Sequence, residues 1–290
     1  MIEITFQHKE DAKKLYNQLY KNFSALQQKD FLLSIEDSHI VKLTGPRPLR
    51  GEDLKLVKET FRNFILYEKR DDWFRNMISE LFLFHDPEEQ RQILEIIYSL
   101  LEGDREELFP FLVDIGVEEN VTATIDGMFE DNISFSFDSF IKFRMRSFMA
   151  NLEKYVEVAI DEYKMEQEYQ MFIQTLRDFL SGRGAKLTEL HLFIDEGVTF
   201  FDEYLNEIKR SVLTKMIDRK LLSNHPVYVD SITIAPLLSI APHVIYVYTT
   251  DSEQPLVRTI QNIFEERVTI HSYEAFYQKK FYLSKVEENS

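Results

Sequence analysis

The feature that most constrains the fold is a proline-free stretch, residues 136–180, in which apolar residues recur at helical spacing. Ser136 can cap a helix through its hydroxyl, and Asp138 lies in the first turn, where the helix dipole favours an anion. Gly182 follows the last apolar residue and is typical of a helix end. This pattern predicts one very long helix, or two helices with a tight break near residues 150 and 151.

The segment before this stretch predicts two further parts. Residues 1–46 favour a β-α-β-β element, because two β-prone runs within residues 31–43 flank a short polar turn. Residues 44–51 hold two prolines and two glycines and predict a linker. We therefore place a domain boundary there and expect a helical domain over residues 47–183, with a capped helix start at Asp86.

Beyond residue 183 the apolar period changes from helical to strand-like, which predicts a small α/β domain over residues 184–290. Residues 190–195 and 244–248 predict strands, and a helix followed by a short strand is expected after the second of them. The chain as a whole is expected to have an α+β fold that is predominantly helical.

Charge and composition narrow the functional classes. Fifty acidic residues against 34 Lys and Arg give a net charge of −16, which disfavours non-specific nucleic-acid binding. Cysteine is absent, which excludes thiolate chemistry and favours a cytoplasmic location. The first residues lack the layout of a signal peptide, and the most apolar run, residues 231–248, carries two prolines. We therefore expect no membrane insertion.

One short segment, FDSFIKFRMRSF at residues 137–148, interleaves aromatic residues with cations. On a helix, Arg144 is expected to share a face with phenylalanines, while Lys142 and Arg146 point into solvent. A charge on an apolar face predicts an ion pair with an acid of the partner helix, for which the candidates are Asp161, Glu166 and Glu168. An anion site at Arg144 and a nucleic-acid surface remain open as alternatives.

Other candidate sites are weaker. Asp195 and Asp251 follow predicted strands, at the end where α/β proteins bind ligands, although Asp is also common in turns. The acid-rich residues 161–168 lack any E-x-x-H element, so we expect no metal site and no cofactor. His191 is expected to be a core residue that donates to a backbone carbonyl. Because no catalytic constellation is present, a non-enzymatic role is favoured, with an enzyme left open.

Several elements resemble those of a known family. FDSFIKFRM is similar to the E-G-F-I-x-F-R-L element of the YtxC-like family of sporulation-associated bacterial proteins, and residues 158–180 resemble a downstream family helix. ITIAPLLSIAPHVIYVY and TIQNIFEERVTI are similar to later elements. Asp138 and Ser139 replace the usual Glu-Gly, and Gln167 replaces an expected Lys. The resemblance implies a cytosolic protein of a spore-forming bacterium, without an established reaction.

Three functional hypotheses follow. The first is a sporulation-associated cytosolic protein that acts by contacts with another protein or with a small ligand. The second is an enzyme or ligand-binding protein with an anion site at Arg144, between the helical and α/β parts. The third is a specific nucleic-acid binder, which requires a positive surface despite the net charge.

Overall fold

The structure is a computed structural model that describes residues 1–25, 31–46, 49–112, 117–129, 133–218, 230 and 232–288. It has the predicted α+β, predominantly helical fold. The chain divides into two compact units, unit 1 (Met1–Met165) and unit 2 (Glu166–Ser290). The predicted boundaries at residues 46 and 183 stay a prediction, although in unit 1 the N-terminal strands and the following helices share one apolar core.

Unit 1 contains a four-stranded sheet with the strand order β2-β3-β1-β4. Its strands are β1 (Ile2–Thr5), β2 (Leu32–Glu36), β3 (Ile40–Thr44) and β4 (Ser134–Ser136), and helix α1 (Lys9–Ala25) follows the first strand. The hairpin β2–β3 turns at Asp37 and Ser38, whose positive φ values of 49° and 63° suit a tight two-residue turn. The predicted hairpin is therefore confirmed.

The helical part of unit 1 begins with one continuous run of helical turns that contains two wide, π-helical segments. The run consists of α2 (Glu52–Asn63), π1 (Phe64–Lys69), α3 (Arg70–Asn76) and π2 (Met77–Leu81). Helix α4 (Pro87–Glu102) follows, capped as predicted by Asp86, which accepts hydrogen bonds from two first-turn amides. A 3₁₀ turn (Glu106–Phe111) and α5 (Val117–Met128) come next.

The proline-free stretch forms two helices, α6 (Phe137–Arg144) and α7 (Arg146–Leu180), and Ser136 caps the first as predicted. The break lies at Met145, with φ −109° and ψ 21°, and not near residues 150 and 151. Met145 is 1% exposed, so the break is packed into the core. The burial of this side chain fixes the break where no proline or glycine marks it.

Phe137 lies at the centre of the core of unit 1. Its ring packs against Phe6, which follows β1, with 5.0 Å between ring centroids, and against Phe64 of π1 at 5.6 Å. It also contacts Phe61 of α2 edge-on and is parallel to Trp73 of α3 at 6.5 Å. One aromatic side chain of α6 thus packs against the residue that follows β1 and against three consecutive segments of the helical run.

Unit 2 contains a second four-stranded sheet, with the order β6-β5-β7-β8, in which only β6 is antiparallel to its neighbour. Its strands are β5 (Glu189–Ile194), β6 (Val198–Phe201), β7 (Val244–Tyr248) and β8 (Val268–His271). The described helices are α8 (Arg210–Met216), α9 (Ile234–Ile240), α10 (Pro255–Phe264) and α11 (Tyr273–Glu288), and a 3₁₀ turn (Glu265–Arg267) precedes β8. The predicted strands are confirmed.

The two faces of this sheet differ in chemistry. One face presents aliphatic residues such as Leu190 and Ile245, which pack with α9, α10 and the last turns of α7 into an apolar core. The other face presents His191, Tyr246 and Tyr248 and is covered by α11. This alternation follows from the period of two along each strand.

A buried ion pair connects α1 with the long helical run of unit 1. Lys69 Nζ lies 3.0 Å and 2.9 Å from the two carboxylate oxygens of Asp11, and the two side chains are 11% and 9% exposed. Asp72 lies 3.4 Å from the same Nζ and is less buried. The pair therefore satisfies charges that the apolar surroundings could not solvate.

Replacing Lys69 by Met should lower the free energy of unfolding by about 3–5 kcal/mol, because Asp11 would remain as an uncompensated buried charge. The double variant Asp11→Leu with Lys69→Met should recover most of this loss. Urea unfolding measures both values, with Arg91→Met, in an exposed pair, as the control. A loss for Lys69→Met no larger than that of the control would contradict the assignment.

Candidate functional site

Arg144, the centre of the predicted site, is the last residue of α6, and its side chain is exposed. It makes no ion pair with any residue that the structure describes. Helical spacing allowed either Arg144 or Met145 to continue the apolar stripe, and the structure buries Met145. The face assigned to Arg144 from the sequence is therefore corrected, because the break turns its side chain into solvent.

The candidate acids lie on α7. Asp161, Glu166 and Glu168 have exposed side chains. Their neighbour Glu162 is more buried and pairs with Arg105 at 2.8 Å. In unit 1 the structure thus forms an ion pair between α7 and the 3₁₀ turn region, and an arginine from a different segment supplies the cation.

The two strand-end acids lie where the sequence placed them. Asp195 follows β5 and is exposed, whereas Asp251 follows β7 and accepts a hydrogen bond of 2.9 Å from the backbone N–H of Glu253. The second contact is an ordinary turn interaction. Among the residues that the structure describes, no three His, Asp or Glu side chains are placed to bind a metal ion together.

A cleft of about 590 Å³ opens in unit 1 beside Trp73 and is called the Trp73 cleft. Its size is within the range of about 300–1,000 Å³ that is typical of small-molecule sites. The lining side chains come from the start of α1, from the π1–α3–π2 run and from both sides of the α6–α7 break: His8, Asp11, Lys69, Trp73, Asn76, Met77, Phe137, Asp138, Ile141, Lys142, Arg146, Met149, Ala150 and Glu153.

One wall of the cleft comes from the helical run that contains the two π-helical turns, and the first of these turns precedes most of its lining residues. The N–H of Arg70 donates to the carbonyl of Ile65, and the N–H of Phe82 donates to that of Met77, a spacing of five residues in each case. Each wide turn adds a residue, so the side chains that follow are rotated by about 100° from an unbroken helix. Lys69 and Met77, at the edges of these turns, both line the cleft.

The opposite wall carries two cations without ion-pair partners among the described residues. Lys142 lies in the last turn of α6 and Arg146 begins α7, so they flank the break at Met145. Arg146 Nε donates to the carbonyl of Lys142 at 3.0 Å, which fixes the guanidinium beside the lysine. Both cations lie 5.7 Å from the ring centroid of Phe143, which is exposed.

Two of the three carboxylates of the cleft already have partners. Asp11 is paired with Lys69, and Asp138 Oδ2 accepts a hydrogen bond of 2.9 Å from the backbone N–H of Gln7. Glu153 is the remaining carboxylate of the lining. The lining therefore has three positive and three negative charges in total, and Lys142 and Arg146 are its two cations without an ion-pair partner among the described residues.

Apolar surface lies beside these charges. Trp73, Met77, Ile141 and Met149 are each partly exposed and line the same cleft. A flat aromatic ring and two flexible thioethers can cover an apolar ligand, while a lysine and an arginine can hold an anionic group. The arrangement is suited to binding an amphipathic anion, and the described cleft residues form no hydrogen-bonded pair of nucleophile and base.

The sequence prediction missed this cleft for identifiable reasons. The sequence predicts that Lys142 and Arg146 are solvent-exposed, and both are exposed in the structure. Nothing in the local pattern indicates that they also line one cleft with Trp73. The available signal was the pair of cations four residues apart on either side of Met145. A break between them at a buried residue brings both to one cleft.

Unit 2 contains a separate buried cluster of ionisable groups around His191, which is 0% exposed. His191 Nδ1 lies 3.1 Å from Tyr248 Oη, and its Nε2 lies 3.4 Å from Lys279 Nζ on α11. The ring stacks on Tyr246, with 4.7 Å between centroids. The predicted hydrogen bond to a backbone carbonyl is replaced by these side-chain contacts.

The contacts fix the proton on His191. Lysine only donates, so Nε2 accepts from Lys279 and Nδ1–H donates to the Tyr248 hydroxyl. Burial, reinforced by the Lys279 ammonium, lowers the pKa of His191 to about 4. Burial also raises the pKa of Tyr248 to about 12, with a smaller contribution from Tyr246. Both rings are therefore neutral at neutral pH.

His191→Phe should reduce the loss of stability in acid. The unfolded chain protonates histidine near pH 6.5 and the folded chain only near pH 4, so stability falls as pH drops through this window. Urea unfolding at a series of pH values gives the free energy of unfolding as a function of pH. Between about pH 4 and pH 6.5 we expect its slope to be shallower in the variant, by the equivalent of up to one proton. The exposed His243, changed to Phe, is the matched control and should leave the slope unchanged. Equal slopes for His191→Phe and the parent chain would contradict this expectation.

No helix within the described residues is both long and apolar enough to cross a membrane.

Comparison with known proteins shows the family to which the chain is related. Residues 55–269 match the sequence profile of the YtxC-like family, which extends further toward the N-terminus than the motifs recognised from the sequence. A Bacillus subtilis (strain 168) protein, described as uncharacterized protein YtxC, is 37% identical over 214 residues, or 73% of this chain and 75% of that protein. No solved structure shows a significant match. The chain therefore belongs to the YtxC-like family.

Proposed function

We propose that this protein binds a small amphipathic anion in the Trp73 cleft. The observation that carries the proposal is the placement of Lys142 and Arg146, without ion-pair partners among the described residues, beside a partly exposed tryptophan. An anionic head group would lie between the two cations, and an apolar or aromatic body would cover Trp73 and Met77. The proposed activity is binding, without a reaction.

The proposed setting is the cytoplasm of a spore-forming bacterium during sporulation. Its support is the family relationship together with a composition free of cysteine. A strain that lacks the gene should form fewer heat-resistant spores than its parent and regain them when the gene is restored. Equal spore counts in the two strains would remove the proposed setting without affecting the proposed ligand site.

A second candidate function is protein binding through α11. This helix exposes Tyr277, Phe281 and Tyr282, which are 60%, 64% and 69% exposed. Exposed aromatic residues on one element are typical of interaction surfaces. A photo-crosslinker at position 281 should capture a partner that the variant Tyr277→Ser with Tyr282→Ser loses, and capture that does not depend on these residues would oppose the candidate.

The ligand proposal predicts selective binding of an anionic aromatic dye. Anilinonaphthalene sulfonate should bind next to Trp73, which is the single tryptophan of the sequence, so energy transfer from tryptophan to dye reports this cleft specifically. Lys142→Gln and Arg146→Gln should each weaken dye binding by about tenfold, because each removes a charge-assisted hydrogen bond. Fluorescence titration measures the dissociation constants.

Two controls separate this site from general dye binding. Phenylnaphthylamine has the same ring system without the sulfonate, and its affinity should stay within about twofold when either cation is removed. Lys164→Gln, on an exposed lysine of α7 outside the cleft, should leave the affinity of the anionic dye unchanged. If both cation variants bind the sulfonate as tightly as the parent chain does, the proposed function is wrong.

A further inference from the structure

A second, smaller cavity of about 360 Å³ lies between α2 and α5 in unit 1. Residues of the two helices line it, and none of them lines the Trp73 cleft: Gly51, Leu54, Lys55, Lys58, Glu59, Arg62, Thr122, Ile125 and Asp126. The cavity is large enough for a phosphate group with a small organic substituent, since small-molecule sites begin at about 300 Å³.

Three cations of α2 face this cavity. Lys55, Lys58 and Arg62 are spaced by three and four residues, so they form one stripe along the helix. The whole chain has a net charge of −16, so the positive charge of this stripe is opposite in sign to the charge of the protein as a whole. The stripe creates a positive surface where an anion can approach despite the repulsion of the whole protein.

The carboxylates of the cavity neutralise only part of this charge. Asp126 pairs with Lys58, with 3.1 Å between Oδ1 and Nζ. Glu59 is exposed and makes no ion pair with a described residue. Lys55 and Arg62 likewise have no ion-pair partner in the described part of the chain. The lining as a whole therefore has three positive and two negative charges.

Arg62 carries the decisive feature. Its Nε is buried, and none of the residues that the structure describes offers that atom a hydrogen-bond acceptor. A buried donor of a charged group that lacks an acceptor is costly, and such groups are rare in folded proteins. An oxyanion held in the fork of the guanidinium would supply the missing acceptor once the side chain turns toward the cavity, since arginine binds phosphate and carboxylate through two parallel N–H donors.

We propose that this cavity, the Arg62 site, binds the phosphate group of a small phosphorylated molecule. Arg62 would hold two phosphate oxygens through its fork, and Lys55 would balance the remaining charge. A phosphate monoester offers three strong acceptor oxygens, enough for the fork of Arg62 and for Lys55 together, whereas a carboxylate offers only two. This site is separate from the Trp73 cleft and does not depend on the proposed function.

Titration calorimetry with inorganic phosphate and with glycerol phosphate tests the assignment. The protein used is the full chain with Lys142→Gln and Arg146→Gln, so that binding in the Trp73 cleft does not contribute. We expect both phosphates to bind, acetate at equal ionic strength to bind at least about tenfold more weakly, and Arg62→Met to weaken phosphate binding by at least about tenfold. Arg91→Met is the matched control on an exposed arginine and should leave binding unchanged.

Thermal unfolding gives a second readout that does not require tight binding. Phosphate should raise the melting temperature of the parent chain above that in chloride of equal ionic strength, and Arg62→Met should abolish the difference. Without phosphate, Arg62→Met should unfold no earlier than the parent, because the variant removes a donor without an acceptor. Arg62→Lys, which keeps the charge and loses the fork, should bind phosphate with intermediate affinity.

Several results would overturn the assignment. The absence of both heat and stabilisation beyond chloride on addition of phosphate would show that water or the protein itself satisfies Arg62. Unchanged phosphate binding by Arg62→Met would place the anion elsewhere. Acetate binding as tightly as phosphate would refute the phosphate class, and early unfolding of Arg62→Met without phosphate would show that the side chain is satisfied within the protein.

Discussion

The burial of Phe137 is the interaction on which the architecture of unit 1 depends. This ring touches residues from the end of β1, from α2, from π1 and from α3, so the sheet and the helical run pack against the same side chain. Ser136 caps the helix that carries it, and Asp138 binds the backbone next to Phe6. The N-terminus of α6 is thereby fixed before the chain reaches the break.

The geometry of the Trp73 cleft follows from this anchor. With α6 fixed at its start, the break at Met145 turns the chain so that Lys142 and Arg146 share one wall. The π1 turn, which precedes α3, rotates Trp73 and Met77 from the positions that an unbroken helix would give them. Neither wall arises from a regular helix, and π turns of this kind are frequent at functional sites. The irregular backbone is therefore where a binding site is most expected.

Much of the fold could be predicted from local signals. The cap at Asp86, the hairpin of β2 and β3, and the strands β5 and β7 each depend on residues that are adjacent in sequence. The strand β4 could not be predicted, because it has three residues and pairs with β1, more than 120 residues earlier. Pairing over such a distance is decided by the core and leaves no local pattern.

The candidate site was less predictable for the same reason. Helical periodicity could not choose between Arg144 and Met145 as the next buried position, since steps of three and four are both allowed. The choice of Met145 exposes Arg144 and brings Lys142 and Arg146 to the cleft. The contact between His191 and Tyr248 could not be predicted either, because the two residues are 57 positions apart in the sequence and lie on neighbouring strands.

A crystal structure of the protein grown with anilinonaphthalene sulfonate is the most direct measurement of the role assigned to the Trp73 cleft. We expect the sulfonate to lie between Lys142 and Arg146 and the naphthalene ring to lie against Trp73. Dye density only at other surfaces, with Lys142 and Arg146 both occupied by carboxylates of the protein such as Glu153, would contradict that role.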